Sequence, residues 1–246
     1  MRPVRLFLIA LQFLTIIPLP CTVPCDDDDL GRSAAFFPLV GLVIGGMLCL
    51  LDVFLSLWLV RPLTDALLVT GLVVVTGALH LDGLADVCDG IAARGDRDRF
   101  LAVMKDSRVG AVGVVGIVLG LLLTWQALVA VPADIKWQAL LIVPVCSRLS
   151  QVVIMCAAPH ARQGGLGALF ISGMGYWQLA GALVLAAGIV ISVSPVRGVV
   201  VLAATILTAL AVRRWFIHRL GGITGDIIGF GSELCGIAVL VLFGIT

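Results

Sequence analysis

Asp82, Asp86 and Asp89 stand at i, i+4 and i+7, so at about 100° per residue they fall within about 60° of one another on a helix. Like charges at that spacing destabilise a helix unless something neutralises them, and neighbouring carboxylates raise one another's pKa. A hard divalent cation resolves the conflict. Mg2+ takes oxygen ligands, keeps several waters, and uses one or two carboxylates together with the phosphates of a substrate. The alternative is a solvated helix face paired with Arg94, Arg97 and Arg99. His80, just before the stripe, either accepts a proton or adds a ligand, or it is a hydrogen-bonded structural residue at a membrane boundary. Gly83 and Gly90 inside the stripe weaken a helix by about 1 kcal/mol each relative to alanine. Close approach of a substrate or of a neighbouring helix would account for them.

Residues 80–108 contain six aspartates and five Lys or Arg in an otherwise apolar chain. In the second half of this run, Asp96, Asp98 and Asp106 interleave with Arg97, Arg99, Lys105 and Arg108. Guanidinium forks match phosphate oxygens, and a metal with arginines supplies the charge stabilisation that phosphoryl transfer requires. The same residues also suit an interfacial helix over 97–105, anchored by Phe100, Leu101 and Val103. A second polar island runs from Arg219 through Gly222, Thr224 and Gly225 to Asp226. Its amides and the following helix N-terminus could cradle a phosphate, although a loop with a capping Thr or Asp explains the string as well. Glu233 is i+7 from Asp226 and therefore on the same face. It lies inside an apolar stretch, where an acid is a functional candidate, so it joins Asp82, Asp86, Asp89 and Asp226 as a possible metal ligand. Arg162 lies in a third island over 159–167, and Arg148 sits within an apolar stretch where it requires an acidic or phosphate partner.

The elements that carry these residues must cross a membrane. The chain has 246 residues, of which 61% are hydrophobic and 13% charged, with a mean hydropathy of +1.16; soluble domains are about 45–50% apolar and about 25% charged. Stretches of roughly 20 apolar residues fall at 38–60, 62–79, 109–131, 137–158, 176–193, 196–216 and 227–245, giving an all-α, polytopic fold of about seven transmembrane helices. No remaining segment is long enough for a soluble domain, so 1–246 is expected to be one catalytic membrane domain. Residues 2–17 have two arginines and an apolar run but no small-x-small cleavage site, and are expected to be a retained helix on or shallowly in the membrane. If the loops after even-numbered spans share a face with 26–37, that face holds Arg32, Arg94, Arg97, Arg99, Lys105, Arg108, Arg162, Arg213, Arg214 and Arg219. The other face has only Arg61, Lys136 and Arg197, so the acidic cluster is expected in the cytoplasm. Net charge of +1 points to no nucleic-acid partner. The seven cysteines, at 21, 25, 49, 88, 146, 156 and 235, lack metal-type spacing and suit small apolar packing residues.

Several ordered motifs carry a resemblance. They are LQFLTIIPLP (11–20), FFPLVG (36–41), HLDGLADVCDG (80–90), RDRFLAVMKDSRVG (97–110), SR (147–148), ARQGGLG (161–167), and GGITGDIIG (221–229) with EL (233–234). With these the chain resembles the adenosylcobinamide-GDP ribazoletransferases, the membrane-bound cobalamin synthases of bacteria. The resemblance implies Mg2+-dependent transfer in the bacterial cytoplasmic (inner) membrane. α-Ribazole or its 5′-phosphate would attack the pyrophosphate of adenosylcobinamide-GDP and release GMP. Position by position, it makes Asp82, Asp86, Asp89 and Asp226 candidates for the metal or pyrophosphate site, and Arg97, Arg99, Lys105, Asp106 and Arg108 its charged segment. Gly164 and Gly236 stand where the family commonly has glutamates, so those acids are dispensable here. Residues 86–94 also match the first half of the CDP-alcohol phosphotransferase signature, but Val103, Ser107 and Ala111 break the second half. A secondary transporter, the non-enzyme alternative, predicts charges midway along several spans and two matching halves, and neither pattern occurs.

Overall fold

The computed structural model describes residues 2–19, 23–162, 164 and 166–245. Among these residues all regular structure is helical. An N-terminal helix α1 (Arg2–Leu14) is followed by a short helix α2 (Asp27–Ser33), which runs through a 3-10 turn into α3 (Phe37–Leu55). Next come α4 (Arg61–Val75), α5 (Leu79–Ala92), α6 (Arg97–Met104), α7 (Ala111–Ala130) and α8 (Lys136–Met155). A short α9 (Leu166–Ser172) precedes α10 (Tyr176–Val193), α11 (Pro195–Leu220) and α12 (Gly225–Gly244). Six stretches are long and apolar enough to cross a membrane: Asp28–Leu55, α7, α8, α10, α11 and α12. The expected N-terminal helix is α1. Its 13 residues turn Leu6, Ile9, Ala10, Leu11 and Leu14 inward against the bundle, and at about 20 Å it is too short to span.

The expected span at 62–79 takes a different form. α4 stops after 15 residues, about 22 Å of helix against roughly 30 Å of hydrocarbon. The chain then bends by 90° into α5, and the two helices together have the length and composition of a broken span or a re-entrant loop. At the bend Gly77 and Ala78 take left-handed backbone angles, φ 58 and 57, a conformation that costs glycine little. Beyond it α5 climbs along the glycine edge of α7. Leu84 meets Gly120, Cys88 meets Gly116, and Asp89 meets Gly113 and Gly110. The carboxylate stripe is therefore helical and packs along α7, with Asp82 exposed and Asp86 and Asp89 partly buried. Cys146, Cys156 and Cys235 are buried in the packed interior as expected; Cys21 lies outside the described residues.

Helix α8 is the shaft around which the others pack. Nearly all its side chains are buried, including Lys136, Ser147, Arg148, Ser150 and Gln151, which explains how polar groups survive in a spanning helix: they face protein, not lipid. Because successive spans alternate direction, 93–110, 156–162 and 221–224 share one end of the bundle, while 56–60, 131–135 and Ser194 share the other. At the latter end the sparse basic residues Arg61 and Lys136 are neutralised. Lys136 Nζ is 2.7 Å from Asp65, both fully buried, and Arg61 bridges Asp65 at 2.8 Å and Asp52 at 2.5 Å. Removing one partner of a buried pair leaves an uncompensated charge, at about 3–5 kcal/mol. Asp65→Ala should therefore lower the thermal unfolding midpoint of the detergent-solubilised protein far more than the paired change Asp65→Leu with Lys136→Met.

Candidate active site

Two helices deliver the acids. A Cβ at Gly83 of α5 would lie 2.6 Å from the Asp226 carbonyl oxygen, and one at Gly229 of α12 would lie 3.3 Å from His80 Cα. Only glycine permits this approach, so Gly83 serves helix packing. Gly90 does the same, lying under the Phe100 ring. The contact brings Asp82 and Asp86 of α5 into the field of Asp226, whose charges act on one another together with that of Arg162. Arg162 bridges Asp226 at 3.2 Å. Three carboxylates thus face one guanidinium. Thr224 is the N-cap of α12, accepting from the Ile227 amide and contacting the Asp226 carboxylate at 3.3 Å.

His80, Asp82, Arg162, Thr224, Gly225 and Asp226 line a cavity of about 210 Å³. His80 is 3% exposed. Its Nε2 lies 2.6 Å from the Gln151 side-chain nitrogen, and its Nδ1 has no hydrogen-bond partner within the protein. Gln151 in turn contacts Ser232 Oγ at 2.8 Å, Ser232 meets Ser147 at 2.7 Å, and Arg148 donates to Ser147 Oγ at 3.0 Å. This buried ladder has little sequence signal beyond polar residues three or four apart on α8.

The family model for cobalamin-5-phosphate synthase matches residues 6–244. The chain belongs to the cobalamin-5-phosphate synthase family. It is an enzyme, a multi-pass membrane transferase of cobalamin synthesis. Its relatives include an adenosylcobinamide-GDP ribazoletransferase of Geotalea daltonii, 54% identical over 96% of both chains. Another, from Pseudomonas aeruginosa, is 38% identical over 96% of both, and one from Acetivibrio thermocellus is 34% identical over 99% of this chain and 98% of that one. No solved structure matches significantly.

Within this synthase-family site several sequence expectations change. Asp89 points away from the cavity, to the start of α7. One of its oxygens accepts from the Gly110 amide at 2.6 Å and the other from the Gly113 amide at 2.7 Å, satisfying orphan donors where the helix dipole favours negative charge. Glu233, although on the same face as Asp226, opens into a separate cavity of about 40 Å³ shared with Arg148. The two lie about two turns deeper; Arg148 Nη1 donates to Ser147 Oγ, while its Nε and Nη2 have no hydrogen-bond partner among the described residues. Arg97 reaches across the bundle end, donating from Nε to the Leu220 carbonyl at 2.7 Å and from Nη2 to the Ala161 carbonyl at 2.6 Å. It ties together the two loops that bear Arg162 and Thr224. Gly222 is a contact point of the same seam, since a Cβ there would lie 2.4 Å from the Ala161 nitrogen. It packs backbone on backbone, where the Ala161 amide donates to the Ile223 carbonyl at 3.1 Å and the Ile223 amide to the Pro159 carbonyl at 2.9 Å.

Arg94, Arg99, Lys105, Asp106 and Arg108 are exposed on and around α6, and none lines the cavity. Arg108 turns back on Asp106 at 2.7 Å, and its side-chain and backbone hydrogen bonds hold that carboxyl down at about 2. Two further basic residues of this end act as ties: Arg219 donates to the Gly95 carbonyl at 2.6 Å, and Arg213 caps the end of α8 through the Cys156 carbonyl. No three His, Cys, Asp or Glu side chains among the described residues converge tightly enough to ligate one ion. Of the five acids expected to hold a metal, Asp82 and Asp226 line this cavity with Asp86 close by, Asp89 accepts from the α7 amides, and Glu233 lines the smaller cavity.

Asp89→Ala should destabilise the protein by about 1–2 kcal/mol, the worth of a lost helix cap, read as a lower unfolding midpoint with substantial turnover remaining below it. Gly83→Ala should cut turnover at least tenfold at unchanged substrate concentrations, because a backbone carbonyl, unlike a side chain, cannot swing clear of the new methyl.

Proposed function

We propose that this enzyme joins α-ribazole, or its 5′-phosphate, to adenosylcobinamide-GDP and releases GMP. The observation that carries the proposal is the meeting of Asp82, Asp86 and Asp226 with Arg162 beside one cavity, in a chain similar over nearly its whole length to ribazoletransferases. Three carboxylates against one guanidinium leave a surplus of negative charge. A pyrophosphate adds more, so the donor set fits a hard divalent cation held by one or two carboxylates with phosphate oxygens completing its shell. One or two of Asp82, Asp86 and Asp226 would hold Mg2+, which would supply charge neutralisation on the pyrophosphate and the departing GMP.

The chain's own residues then position and move the proton. Arg162 steadies phosphate oxygens at the Asp226 edge of the cavity. The incoming ribazole hydroxyl forms a new P–O bond as the bond to the GMP phosphate breaks. Its proton passes to His80, or to whichever of the three carboxylates is not engaged with the cation. Arg97 acts at one remove, by holding the Arg162 loop. The basic residues gathered on the same end of the bundle support a site facing the cytoplasm from the bacterial inner membrane.

Purified parent enzyme in lipid nanodiscs should release GMP from the substrate pair in the presence of Mg2+ and stop when the ion is chelated. Asp82→Asn and Asp86→Asn should each slow release by about 10²–10³-fold, the usual loss when charge stabilisation is removed, with unchanged unfolding midpoints. Release at the parent rate by either variant would remove that carboxylate from the site.

A further inference from the structure

The cavity has two unlike walls. α5, α12 and the Arg162 loop contribute the polar groups, whereas α1, α3 and α9 contribute Phe13, Phe37 and Phe170. The three rings form one cluster, with centroids 4.3 Å apart for Phe13 and Phe170 and 5.7 Å for Phe37 and Phe170. Phe37 and Phe170 are almost fully enclosed, at 1% exposure each, while Phe13 is half-buried and presents its free surface to the cavity. A flat apolar ring laid there would gain stacking and remove apolar area from water.

Size and polarity select the ligand. At about 210 Å³ the space is below the roughly 300–1,000 Å³ of drug-sized sites. It suits a bicyclic base with part of a sugar and excludes a corrin ring. Guanine also stacks, but its amide and amino edge require hydrogen bonds that three phenylalanines cannot supply, and burying such groups unpaired is costly. The benzimidazole of ribazole carries no such edge. Buried His80, whose Nδ1 has no partner within the protein, also lines this cavity.

We propose that the Phe13–Phe37–Phe170 wall seats the benzimidazole ring of ribazole, with its ribose turned toward His80 and the carboxylates, so that the N-terminal helix α1 forms part of the acceptor subsite. This rests on the transferase activity proposed above. The larger corrinoid substrate then approaches from outside the cavity, presenting only its pyrophosphate.

The test is steady-state kinetics of full-length enzyme in nanodiscs, varying each substrate separately, with calorimetric titration of α-ribazole into the Asp82→Asn protein. Phe13→Leu preserves apolar bulk and removes the ring. It should raise the ribazole KM about tenfold, in line with loss of one aromatic neighbour of a base. The KM for adenosylcobinamide-GDP should stay within twofold, and Phe13→Trp should restore ribazole binding. In the Asp82→Asn background the same change should weaken the calorimetric ribazole affinity in parallel. A raised KM for adenosylcobinamide-GDP alone would make the wall a guanine seat, and unchanged constants for both substrates would also overturn the assignment. Parent enzyme that binds ribazole, loses that binding with Phe13→Leu, yet releases no GMP would retain the seat and reject the proposed reaction.

Discussion

Lipid solvates neither a carboxylate nor a guanidinium, and every charged residue within the spans of this protein is placed accordingly. Asp65 and Lys136 neutralise each other at one end of the bundle, with Arg61 and Asp52 beside them. Arg148 and Glu233 share a small interior cavity. Asp89 spends its charge on the first turn of α7. After these pairings, Asp82, Asp86 and Asp226 remain beside Arg162. In the proposed function, their surplus of negative charge receives a cation and a phosphate-bearing substrate.

The broken span is the means of building that surplus. A continuous helix through residues 62–92 would cross the membrane once and carry its aspartates out into water. The bend at Gly77 and Ala78 turns α5 back along α7 and against α12. Discontinuous helices recur where membrane proteins bind polar ligands, since a break frees backbone and side chains to line a cavity within the protein. Here the contact between Gly83 and the Asp226 backbone sets the spacing of the acids, and Arg97 and Arg219 fasten the surrounding loops through backbone carbonyls. Arginines that look like phosphate clamps are thereby used as struts. Guanidinium groups suit both tasks because their donors form a rigid planar fork.

The sequence by itself determined that this is a polytopic helical membrane enzyme. Hydrophobic length and charge exclusion are local properties of the chain, and the ordered motifs were specific enough to point to its family. Periodicity also put Asp82 and Asp86 on one face of α5, and glycine excess signalled close packing. Periodicity could not decide what that face meets, because a helix face is defined by the partner it finds. Asp89 shares the stripe but meets the α7 N-terminus, and Glu233 shares a face with Asp226 but meets Arg148 two turns away. The run at Arg94, Arg99, Lys105 and Arg108 is exposed and lies outside the cavity, which its residue types alone did not reveal. Tertiary structure alone decided the bend after α4, the joining of α5 to α12 across more than 140 residues of chain, and the recruitment of Phe13 from α1. Each depends on contacts between distant segments, whose free energy comes from burial and backbone approach in three dimensions and leaves no trace in local spacing.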